Sequence, residues 1–230
     1  MSATTCTLAR PTDTTIREPA ARASAAPAFA WPGAVLGFIG VHCGLRTELA
    51  TIGGLVRSAD GRRPLEPARR RAQLLRRVLH EHHRVEDALL WPELEARRPD
   101  CANEMSLLVD EHADLDAALD ALVDDPQRIE QVAESLTAHL LHEETVALPI
   151  WLDTFTLEDH EWFETRLRRT TPWRNAATMV SWLLEVTPPE AQGVALARVP
   201  SSLRLAHRLW YRRRSGLLQM HQLRPSPARG

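Results

Sequence analysis

Two stretches of this chain follow nearly the same pattern, and that repetition limits the fold more than any other feature. Residues His82 to Leu94 read HHRVEDALLWPEL, and residues His139 to Trp151 read HLLHEETVALPIW. Without a gap, His82 falls on His139, Glu86 on Glu143, Asp87 on Glu144 and Pro92 on Pro149. In each copy the His and the Glu are four residues apart, so on a helix they project from one face, one turn apart. Two helices that both turn a His and a Glu toward an apolar interior must supply partners for them, because unpaired buried polar groups are costly.

The surrounding sequence supplies the helices. Val35, Phe38, His42, Leu45, Leu49, Ile52 and Val56 recur at spacings of three and four, which predicts a first helix ended by Ser58-Ala59-Asp60-Gly61. A second begins after Pro64 and Pro67 and turns Leu75, Val78, His82, Val85, Glu86 and Leu89 inward, with Arg69, Arg70, Arg71, Arg76 and Arg77 as a solvated face. The third, from about Ala102 to Val123, carries Met105, Leu108, His112, Leu115, Leu119 and Leu122. The fourth starts near Pro126 and carries Val132, Leu136, His139, Glu143, Val146 and Ile150. Pro92 and Pro149 are expected to bend or end their helices.

The first and third helices share HxxLxxxL, at His42, Leu45 and Leu49 and at His112, Leu115 and Leu119. The domain therefore reads as two similar hairpins. Each has one His on its first helix and a His/Glu pair on its second, and together they predict an all-α, up-down four-helix bundle over residues 33–155. Residues 1–30, rich in Ala, Thr, Pro and Ser, read as a disordered leader. A small helical extension is expected over 156–215, with helices at 156–169, 172–186, 189–199 and 201–214, and a flexible tail over 216–230. Trp162, Trp173, Trp182 and Trp210 offer the aromatic area to pack that extension on the bundle.

Composition bounds the class. Of 230 residues, 44% are hydrophobic and 25% charged, as in globular proteins. All 28 basic residues are Arg, and the formal charge of −2 is unevenly spread. From Asp100 to Glu164 the only base is Arg128, whereas Arg198 to Gly230 carries Arg and no acidic side chain. That tail suits packing on the acidic body; nucleic-acid binding is disfavoured, since no recognition motif accompanies it. No apolar run approaches the roughly 20 residues of a membrane span, and no secretory signal is visible. Cys6, Cys43 and Cys101 form no CxxC pattern, so reduced thiols and a cytoplasmic location are expected.

A single His on an apolar stripe, or a single HxxxE, is ordinary. Six such residues on the inner stripes of four consecutive helices are not: His42, His82, Glu86, His112, His139 and Glu143. Two facing buried carboxylates repel and force protonation, a conflict that divalent cations remove. His and carboxylate ligands without thiolate suit iron, manganese or zinc. With Glu86 and Glu143 bridging two ions and two His on each, each ion has about four protein ligands, and octahedral preference leaves room for water or a small oxidant. Two Glu and four His, against the four Glu and two His of ferritin-like bundles, stabilise Fe(III) less and make Fe(II) easier to keep.

At these residues the sequence resembles the hemerythrin-like, HHE cation-binding family, over roughly Val35 to Leu152. The resemblance implies a hemerythrin-type bundle with a C-terminal helical extension, holding two non-haem iron ions, with manganese or zinc as alternatives, at those six residues. It implies O2 or peroxide as the small-molecule partner and a role in oxygen or iron sensing or in oxidative-stress handling. The oxygen carriers of the family place a second His one turn from the first on the third helix, but here Leu108 and Asp116 flank His112 at that spacing. The carriers also place an Asp five residues after the fourth helix's His, where this chain has Glu143 at four. His83 and His142 are therefore open as further ligands or as outer hydrogen-bond donors, with Asp87, Glu111 and Glu144 exposed or outside the ligands. A second reading is a di-iron oxidase, peroxidase or oxygenase acting on a small molecule. A third makes Leu203, Leu209, Trp210 and Leu217 of the Arg-rich terminal helix a membrane or partner surface.

Overall fold

The computed structural model describes residues 32–59, 65–187 and 199–208, which contain helices and no strand. Four long segments run alternately up and down. They are α1 (Gly33–Arg57); α2 (Glu66–Val85), continued through a wide turn and α3 (Trp91–Arg97); α4 (Ala102–Asp124); and α5 (Ile129–His142), continued in the same way into α6 (Leu148–Thr154). Around the bundle α1 packs on α2, α2 on α4, α4 on α5 and α5 on α1. This is the predicted all-α, up-down four-helix bundle.

The interior is layered. One apolar cluster holds Leu45, Leu49, Leu75, Leu79, Leu119 and Leu136, and another holds Phe38, Leu94, Met105, Leu108 and Trp151. Every long segment crosses from one cluster to the other, and His42, His82, Glu86, His112, His139 and Glu143 all fall at the crossing. Full burial of a Leu or Phe side chain stabilises by about 1.5–3 kcal/mol. The two clusters thus provide the stability that tolerates a polar layer between them.

Pro92 and Pro149 do not end the helical run, which continues through a π turn into α3 and α6. Residues Glu86–Leu90 and Glu143–Ala147 each form a π-helical turn. The Trp91 N–H bonds to the Glu86 carbonyl and the Leu148 N–H to that of Glu143. The wider turn absorbs the proline's missing donor and ring bulk. It also advances the register by one residue. After Glu143 the fully buried positions are Ala147 and Trp151, and the expected Val146 and Ile150 are only half-buried.

After the bundle come α7 (Leu157–Thr170), α8 (Trp173–Val186) and α9 (Ser201–Ala206). The leader, the tail and the helices expected at 189–199 and beyond 208 lie outside the described residues, apart from residue 199. A capping box at Thr156 and Asp159 starts α7. Its Glu164 accepts a hydrogen bond from the Ala34 N–H at 2.9 Å, placing a carboxylate at the amino end of α1.

One tryptophan and a set of polar contacts dock α8. Trp182 is buried and lies so close to Gly44 that a Cβ there would come within 2.6 Å of its ring, but Trp162 and Trp173 are exposed. Both oxygens of the fully buried Glu48 accept from Arg71, and Trp182 Nε1 donates to Glu48 at 3.2 Å. Arg71 also reaches Glu185 of α8 at 2.7 Å, and Asn175 of α8 donates to Glu81 at 2.6 Å. Arg71 is thus a half-buried ion-pair member rather than part of a solvated face; the apolar pattern concealed it because Glu48 sits beside Leu49.

Among the described helices α1 alone is long and apolar enough to cross a membrane by composition, with mean hydropathy 1.2. Half of that stretch is buried in the bundle. Cys101 is a free, buried thiol, and Cys43 is half-buried on α1.

Candidate metal centre

All six residues singled out from the sequence meet in the layer between the two apolar clusters, and His83 joins them. Donor atoms of His42, His82, Glu86 and Glu143 lie within 4.8 Å of one another, as do those of His83, His112 and His139. The two carboxylates span both groups. Glu86 Oε1 is 3.2 Å from His82 Nε2 while its Oε2 is 3.8 Å from His112 Nε2. Glu143 Oε2 is 3.2 Å from His42 Nε2, and its Oε1 is 3.3 Å from His139 Nε2 and 3.5 Å from His112 Nε2. The expected two-and-two division of imidazoles is therefore two and three.

His83 was legible only as an open alternative because it is offset by about 100° from His82 on a helix. It is nonetheless buried, stacked on His112 with ring centroids 3.8 Å apart and planes 6° from parallel. The site is wide enough to use two adjacent positions of one helix. His142 does not enter it. That ring is partly exposed, and its Nδ1 is 2.8 Å from Glu111.

The outer nitrogens explain the orientation of the inner ones. His42 Nδ1 is 2.9 Å from Glu144, His112 Nδ1 2.8 Å from Asp87, and His139 Nδ1 2.8 Å from Glu111. A carboxylate at Nδ1 fixes that nitrogen as the donor and turns the Nε2 lone pair inward, the arrangement found around metal-bound imidazoles. Sequence alone left these three carboxylates as exposed or outside the ligands; they are the groups that aim the histidines.

Such a layer is under electrostatic conflict by itself. Burial, reinforced by the charges of Glu143 and Asp87, pushes the Glu86 carboxyl well above its ordinary value. Burial also acts to raise Glu143, but the imidazoles of His112, His139 and His42 at 3.2–3.5 Å overcome it and hold that carboxyl well below. Burial and the charge of His42 push His82 down to about 3, and burial with His112 and His82 lowers His83 as well. Against its own burial, His112 is raised to about 9 by Asp87 and Glu143. Neighbouring groups are thus driven in opposite directions to keep like charges apart.

Hydrogen bonding does not resolve the conflict. Both oxygens of Glu86 and of Glu143, Nε2 of His112 and of His139, and both nitrogens of His83 are buried without a hydrogen-bond partner. His42 Nε2 and His82 Nε2 face each other at 3.2 Å. Several of these atoms lie within ion-pairing distance of one another but point at a common space rather than at each other. Cations with bonds of about 2.1 Å at right angles place neighbouring donors about 3 Å apart. The 3.2–3.5 Å separations here suit that spacing. The five imidazoles and two carboxylates therefore fit bound metal.

A hemerythrin HHE cation-binding domain model matches residues 38–151, the stretch that holds all seven side chains. Residues 38–151 belong to the hemerythrin family. No curated protein and no solved structure matches the chain significantly. Membership of the family accounts for cation binding by the His/Glu layer and for the bundle that carries it.

Proposed function

We propose that this hemerythrin domain is a non-haem di-iron protein that takes up O2 or a related small oxidant such as peroxide, in oxygen or iron sensing or in oxidative-stress handling in the cytoplasm. The observation that carries the reading is the sharing of Glu86 and Glu143 between a group with His42 and His82 and a group with His83, His112 and His139. Two irons held there would supply one-electron redox couples and open positions for a small oxidant.

The chain's own residues favour that use. With only two carboxylates, the donor set stabilises the ferric state less than a carboxylate-rich one. Glu144, Asp87 and Glu111 hold three imidazoles as Nε2 donors before any ion arrives. Phe38 lies against His42 with ring centroids 4.0 Å apart and edges onto Trp151, so the wall on that side is aromatic. An apolar wall excludes hydrated ions and admits a small neutral molecule.

The test is anaerobic loading with Fe(II) followed by admission of O2. The expected result is a new visible absorption band with stoichiometric O2 consumption, both lost in His82→Ala. Stoichiometric zinc in the isolated protein, with no optical response after iron loading, would contradict it. Sustained turnover of peroxide or of a small organic substrate, lost in the same variant, would replace it with the oxidase, peroxidase or oxygenase reading.

A further inference from the structure

The duplicated unit is not symmetric around its histidines. Superposing the two HxxLxxxL patterns places His42 on His112, and the His/Glu phrases place Glu144 on Asp87. The structure pairs these residues crosswise, His42 with Glu144 and His112 with Asp87, so each half aims the other half's histidine. One turn further on, the halves diverge. The position that is Arg46 after His42 is Asp116 after His112.

Arg46 grips Glu144 through both guanidinium arms, Nη1 to Oε1 at 2.7 Å and Nη2 to Oε2 at 3.0 Å. A bidentate Arg–carboxylate pair is geometrically specific and stronger than a single charged hydrogen bond. The same Oε1 receives both Arg46 and His42, so Arg46 fixes the atom that fixes the imidazole. Asp116 does the opposite in the other half, adding a carboxylate 3.7 Å from His83 Nδ1. The group with His42 thus has its one aiming carboxylate neutralised by an arginine. The group with three histidines faces Asp87, Glu111 and Asp116, and among the described residues no arginine pairs with any of the three.

We infer that Arg46 is a positioning residue which, through Glu144, holds His42 with its Nε2 inward and so makes the two metal positions unequal in affinity. This inference rests on the proposed dinuclear site. A guanidinium held on both oxygens of Glu144 fixes the carboxylate's orientation and with it that of the His42 ring. Removing the arginine leaves Glu144, about a third exposed, free to turn toward solvent, and His42 loses its hydrogen-bond partner at Nδ1.

The experiment is a titration of the metal-free full-length protein with Co(II), following its visible spectrum. Wild type is expected to bind two ions with distinguishable affinities. Arg46→Ala and Glu144→Ala are expected to weaken one of them by about 10- to 100-fold, the same ion that His42→Ala abolishes, and to leave the other unchanged. Arg46→Lys should recover part of the loss. Arg76→Ala, which breaks an exposed pair with Asp120 away from the site, should change neither. Far-ultraviolet circular dichroism of each metal-free variant separates this effect from unfolding. Unchanged affinities in both alanine variants, or equal loss at both positions, would overturn the inference while sparing the dinuclear reading. Fewer than two ions in wild type would overturn both.

Discussion

Replacing His83 by leucine separates a ligand from a core residue, because the two roles predict opposite signs. In the metal-free protein both ring nitrogens of His83 are buried without a hydrogen-bond partner, and the nearest carboxylate oxygen, on Asp116, is 3.7 Å away. A buried donor or acceptor left unsatisfied costs about 1–3 kcal/mol. Leucine has similar bulk and no polar atom, so His83→Leu removes that cost twice. It forfeits the stacking on His112, about 0.5–1.5 kcal/mol for such a ring pair. The net expectation is a metal-free variant more stable than wild type by roughly 0.5–5.5 kcal/mol. Urea unfolding in the presence of chelator measures this directly through the midpoint at constant slope. The same variant should bind one ion at least ten times more weakly, so the stabilisation that metal confers on wild type shrinks. A variant less stable by 1 kcal/mol or more without metal, with both ions retained, would refute the reasoning and make His83 a structural residue.

Arg71→Ala should destabilise the protein by about 3–5 kcal/mol, because it strands the fully buried Glu48 carboxylate; chemical denaturation checks this, and a loss below 1 kcal/mol would show that Glu48 finds water or another donor. Hydrogen bonds from the Thr156 side chain and backbone, together with Arg97, lower Asp159 from its ordinary 3.8 to about 2. The unfolded chain therefore binds this proton more readily than the folded one. The contribution of Asp159 is complete above about pH 4 and is lost as pH falls through 2. Asp159→Ala should flatten that part of the stability–pH curve, and an unchanged curve would remove the capping box from the explanation.

Period and repetition made the bundle legible. The inner stripe expected on the third helix, from Met105 to Leu122, is the buried face of α4 residue for residue. The six proposed ligands were legible because they interrupt such stripes in equivalent places. Three features were hidden for physical reasons. The π turns follow from how a helix absorbs Pro92 and Pro149, and a fixed 3.6-residue period cannot anticipate the shift to Ala147 and Trp151. His83 lies off the stripe, and only the packing of α2 on α4, which stacks it on His112, brings it in. Glu48 and Arg71 are far apart in sequence, so a pattern that treats charges as solvated cannot pair them across α1, α2 and α8. The crosswise pairing of Glu144 and Asp87 with the other half's histidines is likewise a property of packing, although the duplication that generates it is plain in the residues.

Metal content per chain, measured after anaerobic reconstitution with Fe(II) and removal of unbound ion, probes the His/Glu layer most directly. Two irons per chain are expected in wild type, with a clear loss in Glu143→Ala, whose carboxylate lies between both groups. A wild-type protein that retains no iron, or one that holds two irons undiminished after Glu143→Ala, would contradict a dinuclear centre at these residues.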